Sequence, residues 1–382
     1  MNELNALLVY SRSGYKRPFY VQYINQFIDK GNLQNSSSFL INNSILNPYN
    51  KMGYVNDWKD AFLRNRRLKT TFFDLHSGSD FKKVITKGFD VIFILHSATG
   101  DNFSDLIEIE NYLCDRNGKL FLFVANEYLE LDKKIDFINN TETDFIGTQF
   151  PHHVANKFYE KARATIIQTP HGLNEKIYFD KGRKRSIDIG FRGAKYPLFI
   201  GDSERNDFLE LLMRKEKKFN LRNEIKIGDK GKLTREQWSN KLNQYVGIAG
   251  AEAGSYFLDE RGTSLNNAKV FCENHSDVTI EKLKHEIFTH QNYLSGKVIS
   301  SRHFESIGTK TCQILLEGEY NKILEPDKDY IRVKKDFSNL DEALEKFQDN
   351  DFRNTIVNHA YEKILSNHTY TKRVEQIIDK LI

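Results

Sequence analysis

Cysteine is scarce in this 382-residue chain. Its three copies, Cys114, Cys272 and Cys312, are far apart and odd in number. That excludes a disulfide framework and any cysteine-based metal-ligand spacing, and it fits a reducing compartment. Long apolar runs are missing as well. The longest, such as Val91 to Leu95 and Leu120 to Ala125, are strand-sized, well short of the ~20 residues that span a bilayer. Met1 to Ala6 has neither the basic region nor the apolar run of a signal peptide, so a cytoplasmic location is expected. No charge of one sign dominates: the net charge is +4, with both signs interspersed, which argues against a dedicated nucleic-acid binder. Low-complexity segments and short tandem repeats are absent. What is present is 39% apolar and 13% aromatic content, enough to fill cores, in a length that suits two domains or one large one.

The first half alternates apolar runs with helical patterns. Strands are expected at Ala6 to Tyr10, Thr71 to Leu75, Val91 to Leu95, Leu120 to Val124, Asp144 to Gly147 and Ala164 to Ile167. Helices are expected at about Pro18 to Asp29, Asp80 to Lys87, Phe103 to Asp115, Lys133 to Asn139 and Val154 to Ala162. Continuous apolar strands with helices between them imply a parallel sheet covered on both faces. The charged stretch Phe179 to Arg185 reads as a solvated linker. A second alternation begins at Ile187 to Phe191, with strands at Ile225 to Ile227, Tyr245 to Ala249, Gln313 to Leu316 and Tyr330 to Val333. Helices are expected at Glu204 to Lys215, Arg235 to Gln244, Asn266 to Phe288, Leu340 to Gln348, Phe352 to Leu365 and Thr371 to Leu381. The fold class is therefore α/β: two Rossmann-like doubly wound domains, with ligands at the C-terminal ends of the strands. The N-terminal domain is expected over 1–180, the C-terminal one over 187–366, and a final helix over 367–382 that packs back toward the first domain.

Val298-Ile299-Ser300-Ser301-Arg302-His303-Phe304-Glu305 reads as a loop opening into a helix, with Ser301 as N-cap. Unpaired N–H groups and the helix dipole make such an end a seat for phosphate. Arg302 and His303 would add charge, and Glu305 lies on the face of Arg302, one turn on. A diphosphate needs the cationic end and a ribose diol needs a carboxylate, so a nucleotide diphosphate is the expected ligand. The competing reading of the segment is an ordinary capped helix. Two more strand ends point to the same crevice. Arg192, Gly193 and Lys195 close the first strand of this half, where glycine lets backbone approach a phosphate. Glu252 and Ser255 stand among small residues after the Tyr245 strand. In the first half, His96, Glu127 and His171 follow strands and are candidates for a general base or a hydroxyl contact. A capping or partly buried imidazole is the alternative for each histidine. His152-His153 lacks a third ligand, and adjacent loop residues rarely chelate one ion.

These residues resemble a family. The two halves, the linker and the C-terminal helices look like a GT-B glycosyltransferase, and residues 187–360 are similar to the C-terminal domain of group 1 (family 4-like) transferases. The subgroup typified by CgeB-like proteins and polysaccharide-cluster transferases is especially close. The resemblance rests on Asp188 to Gly193, Gly250 to Ser255, Ser301 to Glu305, Leu316-Glu317-Gly318-Glu319-Tyr320 and Tyr330 to Asn339. It implies a cleft between the two domains, a nucleotide-sugar donor, and a glycan or glycolipid acceptor in bacterial surface polysaccharide synthesis. The charge balance leaves no nucleic-acid partner expected, and the basic groups at the diphosphate leave no metal or other cofactor expected beyond the donor. With this likeness Arg192, Gly193, Lys195, Glu252, Ser255, Ser301, Arg302, His303, Glu305 and Glu317 are expected to be donor-binding; in the first half, which the resemblance covers only in architecture, His96 and Glu127 stay the candidate catalytic residues if the enzyme inverts, with no dedicated base if it retains, and His171 the candidate acceptor contact. Related transferases carry a Glu-x7-Glu pair. Glu305 matches its second member, but Lys297 stands at the first. Asp327-Lys328-Asp329 matches the metal motif of some sugar transferases only in letters, because it lies in a proline-containing turn. Two other readings stay open: a nucleotide-sugar epimerase with Glu252 as acid/base, and a catalytically degenerate partner. The basic, aromatic stretch Trp58 to Lys69 is the candidate for peripheral membrane contact, with a solvated amphipathic helix as the competing reading.

Overall fold

The computed structural model describes residues 3–11, 53–76, 80–100, 103–228, 233–290 and 292–382. The helix expected at Pro18 to Asp29 lies outside these residues. The chain packs as two units, one of residues 1–148, 155–169 and 374–382, the other of 149–154 and 170–373.

In the first unit the strands are β1 (Leu4–Tyr10), β2 (Leu68–Asp74), β3 (Val91–Ile94), β4 (Lys119–Phe123), β5 (Phe145–Thr148) and β6 (Thr165–Gln168). They form one parallel sheet in the order β2-β1-β3-β4-β5-β6. Continuous Val, Leu, Ile and Phe runs bury β3 and most of β1 and β4 on both faces, as a sheet with helices on each side requires, while the edge strands β2 and β6 are only partly buried. Helix α1 (Gly53–Arg64) buries Val55, Trp58, Ala61 and Phe62. Trp58 and Phe62 are fully buried, so the aromatic half of the proposed membrane stretch is core, and Leu68 begins β2. No helix among the described residues is long and apolar enough to cross a membrane. The helix expected from Phe103 to Asp115 is two short ones, α4 (Phe103–Ile107) and α5 (Glu110–Cys114), and α2 (Phe81–Ile85) and α3 (His96–Thr99) are also brief. The remaining described helices are α6 (Leu131–Asn140) and α7 (His152–Phe158), of which α7 belongs to this unit from Ala155 onward. His152 and His153 are thus exposed residues of a helix's first turn rather than of a loop.

The second unit carries β7 (Ile187–Gly193), β8 (Asn223–Ile227), β9 (Tyr245–Gly250), β10 (Cys312–Leu316) and β11 (Ile331–Val333), ordered β11-β10-β9-β7-β8 and parallel throughout. Its helices are α8 (Glu204–Lys215), α9 (Arg235–Leu242), α10 (Ser264–Asn274), α11 (Ile280–Glu286), α12 (Ser301–Gly308), α13 (Leu340–Gln348) and α14 (Asn350–Asn367). The pattern read as one helix from Asn266 to Phe288 is broken because Thr279 caps a new start, accepting from the Lys282 N–H at 3.1 Å. Each face of this sheet has its own core: Phe208, Leu212, Ile314 and Phe347 on one, Tyr245, Phe304, Leu315 and Ile364 on the other. The stretch expected to be a solvated linker is partly pinned. Arg185 donates to the carbonyls of Tyr245 (2.5 Å) and Thr309 (2.6 Å), while Arg183 and Lys184 stay exposed. Helix α15 (Tyr370–Leu381) ends the chain, and its residues from Val374 onward pack in the first unit.

Candidate functional site

Both sheets reverse their winding once. The chain runs β7, β8, β9, yet β7 lies between β8 and β9, so the reversal falls between β7 and β9. The crevice outside strand C-termini at such a point is where doubly wound sheets bind ligands. Here it is bordered by Arg192 and Gly193 on one strand and by the segment from Gly250 to Glu252 on the other. Gly190 lets the two strands meet, since a Cβ there would sit 2.3 Å from the Tyr245 ring.

Helix α12 presents its N-terminus beside Arg192 and Gly193. Its cap is Ser300, in extended backbone (φ −98, ψ 164), one residue before the expected Ser301. The Ser300 N–H donates to His303 Nδ1 at 3.0 Å, closing a capping box. Burial lowers the His303 pKa to about 4, the Ser300 backbone partly opposes this, and the charges of Arg302 and Arg205 lower it further. His303 is therefore neutral near pH 7 and adds no cationic charge to the helix end, contrary to expectation. Arg302 supplies it. Its guanidinium donates to the Arg192 carbonyl, lies 5.3 Å from the Trp238 ring centre, and would meet a Gly193 Cβ at 3.4 Å. Glu305 is buried and accepts from Trp238 Nε1 at 2.7 Å. Burial raises its pKa, with Arg302, Ser301 and Trp238 pulling the other way.

Arg205 completes the group, and the sequence reading passed it over. It stands in the first turn of α8, donates to the Ala194 carbonyl at 2.8 Å and stacks 3.2 Å from the Tyr196 ring centre. Its charge and that of Arg302 act on each other and on His303. A cation in the first turn of a helix opposes the dipole, and this was the signal in the sequence that could have drawn attention to it.

The other expected donor residues are placed differently. Arg192 is paired with Glu224 at 3.4 Å, and Lys241 reaches the same carboxylate at 2.6 Å, so Arg192 is already compensated. Lys195 is exposed on the segment after β7. Glu252 ties two loops together: its Oε1 accepts from the Tyr320 N–H at 2.7 Å, and a Cβ at Gly318 would lie 2.3 Å from its Oε2. Burial raises its pKa against these contacts. The Ser255 hydroxyl is spent on a turn, donating to the Ile200 carbonyl at 2.6 Å and accepting from the Phe257 N–H at 3.0 Å. Glu317 accepts from the Lys335 N–H at 3.3 Å. Lys297 is buried against Asp202, with Nζ 2.8 Å from Oδ2. The turn holding Asp327 and Asp329 uses its carboxylates internally. Asp329 is fully buried and accepts from Lys363 and His359, each at 2.8 Å, and Asp327 lies 3.5 Å from Arg332.

In the first unit two expected catalytic groups are core. His96 packs against Phe123, Trp58 and Tyr54, with ring centres 5.0, 5.8 and 6.0 Å away. Glu127 is buried and accepts from the hydroxyls of Thr148 (2.6 Å) and Tyr159. His171 falls in the second unit, close to Tyr370, and burial lowers its pKa to about 3. The rim of the first sheet instead gathers Ser11, His76, Ser97 and Asp105, none of them singled out as a site beforehand.

Residues 228–379 match a family model described as Glycosyl transferase-like. A search of curated proteins found no sequence match. Among solved structures, an alpha-glucosyltransferase in complex with UDP and a 13-mer DNA is similar over 100% of both chains, at 11% identity and TM-score 0.54. An alpha-glucosyltransferase in complex with UDP-glucose and DNA containing an abasic site gives 0.53, again at 11% identity over 100% of each chain. T4 phage beta-glucosyltransferase gives 0.50 at 11% identity, over 99% of each. At such identity the likeness establishes the GT-B fold across the whole chain. The chain thus has GT-B architecture, and its C-terminal part is similar to the glycosyl transferase-like family.

Proposed function

We propose that the second unit binds a nucleotide sugar and that the chain transfers the sugar to a hydroxyl of a glycan or glycolipid, in surface-polysaccharide synthesis and without a metal. The observation that carries the donor half is the meeting of Arg302, Arg205 and the α12 N-terminus where the second sheet reverses its winding. Two guanidiniums whose charges act on each other, one of them in the first turn of α12, are relieved by an anion, and a diphosphate is a bidentate one. Glu305, one turn into the helix, is the carboxylate for the ribose diol. As the glycosidic bond breaks, negative charge grows on the leaving diphosphate, and these preorganised donors stabilise it. The CgeB-like resemblance supports a surface-glycan acceptor. Glu252, buried and held by a backbone N–H, is poorly placed as the acid/base of an epimerase.

UDP leads the candidate nucleotides because the similar alpha-glucosyltransferases were solved with UDP and UDP-glucose. The test is a thermal-shift screen against UDP, GDP, ADP, dTDP and CMP. A ligand that binds only the folded state raises the melting temperature. UDP is expected to do so in the wild type and less in Glu305→Ala. No stabilisation by any nucleotide would sink the reading and favour a degenerate partner subunit.

A further inference from the structure

The turn after β10 holds the most unusual backbone among the described residues. Tyr320, Asn321 and Lys322 follow one another with φ of 43°, 54° and 58°. Every other described non-glycine residue with positive φ stands alone. Left-handed backbone presses Cβ against the following carbonyl oxygen, a cost that glycine escapes and asparagine moderates. Tyrosine and lysine bear it in full. Such residues persist only where their surroundings hold them, and they cluster at functional sites.

The contacts that hold this turn lead to the donor residues. Asn321 Oδ1 accepts from the Ile299 N–H at 2.8 Å, and Asn321 Nδ2 donates to the Gln149 carbonyl at 2.8 Å. Ile299 stands directly before Ser300, the cap of α12, so the first bond ends where that helix begins. The Tyr320 N–H donates to Glu252 Oε1 at 2.7 Å, just beyond β9, and its hydroxyl donates to the Leu316 carbonyl at 2.6 Å. The buried Tyr320 ring meets the His303 ring of α12 edge-on, with centres 5.2 Å apart. Lys322 is different. Its side chain is exposed, and only its N–H closes the turn, on the Glu319 carbonyl at 2.6 Å. All these residues belong to the second unit.

We propose that Asn321 is a positioning residue for donor binding. The strained turn fixes the loop before α12, so that the N–H groups of the helix start and the Arg302 guanidinium are already aimed when a nucleoside diphosphate arrives. Donors held in place before binding need no reorganisation, which is what makes them effective on a diphosphate. The left-handed path turns the Asn321 amide back on Ile299 while Tyr320 faces Glu252, so the strain is the cost of this alignment. Asn321 acts through Ile299 rather than on the ligand. The proposal rests on the donor reading above.

The experiment uses the full chain and UDP, in wild type, Asn321→Gly, Lys322→Gly and Asn321→Asp. Glycine accepts positive φ freely, so both glycine variants keep the turn and each relieves one strained residue. Only Asn321→Gly loses the bonds to Ile299 and Gln149. Amide hydrogen exchange of the unliganded protein, read by mass spectrometry over residues 297–305, should quicken in Asn321→Gly and stay at the wild-type rate in Lys322→Gly. Asn321→Asp keeps an acceptor for Ile299 and should return exchange there toward the wild-type rate. UDP affinity, by calorimetric titration, should fall about 3–10-fold in Asn321→Gly, the worth of an ordinary hydrogen bond, and hold in Lys322→Gly. Wild-type affinity in Asn321→Gly would overturn the assignment. So would an equal loss in Lys322→Gly, or unchanged exchange over 297–305 in Asn321→Gly. A wild type that binds no nucleotide would sink the donor reading instead, and the exchange rates would still decide whether Asn321 fixes the loop.

Discussion

Glu305 holds Trp238, and in the proposed donor site it is also the carboxylate that meets the ligand. Glu305→Ala removes both, and because the residue is buried it also leaves the indole N–H without its acceptor. Loss of the charged hydrogen bonds should weaken nucleotide binding by about 1.5–3 kcal/mol, accompanied by a lowered melting temperature. Glu305→Gln keeps an acceptor oxygen for Trp238. It should restore the melting temperature and leave the affinity loss, read by calorimetric titration; unchanged affinity in both variants would remove Glu305 from the site. His303 makes a prediction about pH. Its folded pKa, about 4, lies below the unfolded value of about 6.5. Between the two the unfolded chain binds more protons, so stability is lost as pH falls through that window, by up to about 1.4 kcal/mol per pH unit. Glutamine at N3 also serves a capping box. His303→Gln should therefore retain the helix and flatten this part of the acid limb, measured by denaturant unfolding at intervals between about pH 4 and 7.

At the scale of elements, β7 and β9 depend on a missing side chain. Gly190→Ala would force a methyl to within 2.3 Å of Tyr245 and separate the strands that frame the crevice. Overpacking of this kind costs about 1–3 kcal/mol, and here it should lower nucleotide affinity too, because the Arg192 carbonyl that holds Arg302 lies two residues on. A stability loss without any change in affinity would mean that the crevice does not depend on that strand contact. Element identity was largely legible beforehand: α8 and α13 run as their periodicity predicts, and the strands of both sheets stand near their apolar runs. The misses have local causes. The split at Thr279 is a capping signal inside a continuous helical pattern, and Ser300 took the cap because His303 at N3 closes a box with it.

At the scale of the whole molecule, Val374, Ile377, Ile378 and Leu381 of α15 are buried in the first unit. Lys119 also donates to the Leu381 carbonyl at 2.6 Å. Each such aliphatic side chain contributes roughly 1.5–3 kcal/mol, an upper bound when the unfolded chain is compact. The chain's two tryptophans report separately, Trp58 in the first unit and Trp238 in the second. Deleting residues 374–382 should lower the transition seen by Trp58 in a Trp238→Phe background far more than that seen by Trp238 in a Trp58→Phe background. Equal shifts would show that the last helix serves both units alike.

The sequence by itself determined the two parallel sheets, most of the described helices and the α12 segment with Arg302 and Glu305. Strand alternation, helical period and capping are set by residues a few positions apart, so they can be read along the chain. Partnership between distant residues cannot. Trp238 meets Glu305 across 67 positions, and Ser11 meets His76 across 65. Only the tertiary structure decided that His96 and Glu127 belong to the core, that Arg205 joins Arg302, and that Ser11, His76 and Asp105 share one rim. The reason is physical: strand order brings remote strand ends together, and burial then decides which polar groups are already satisfied and which stay available for chemistry.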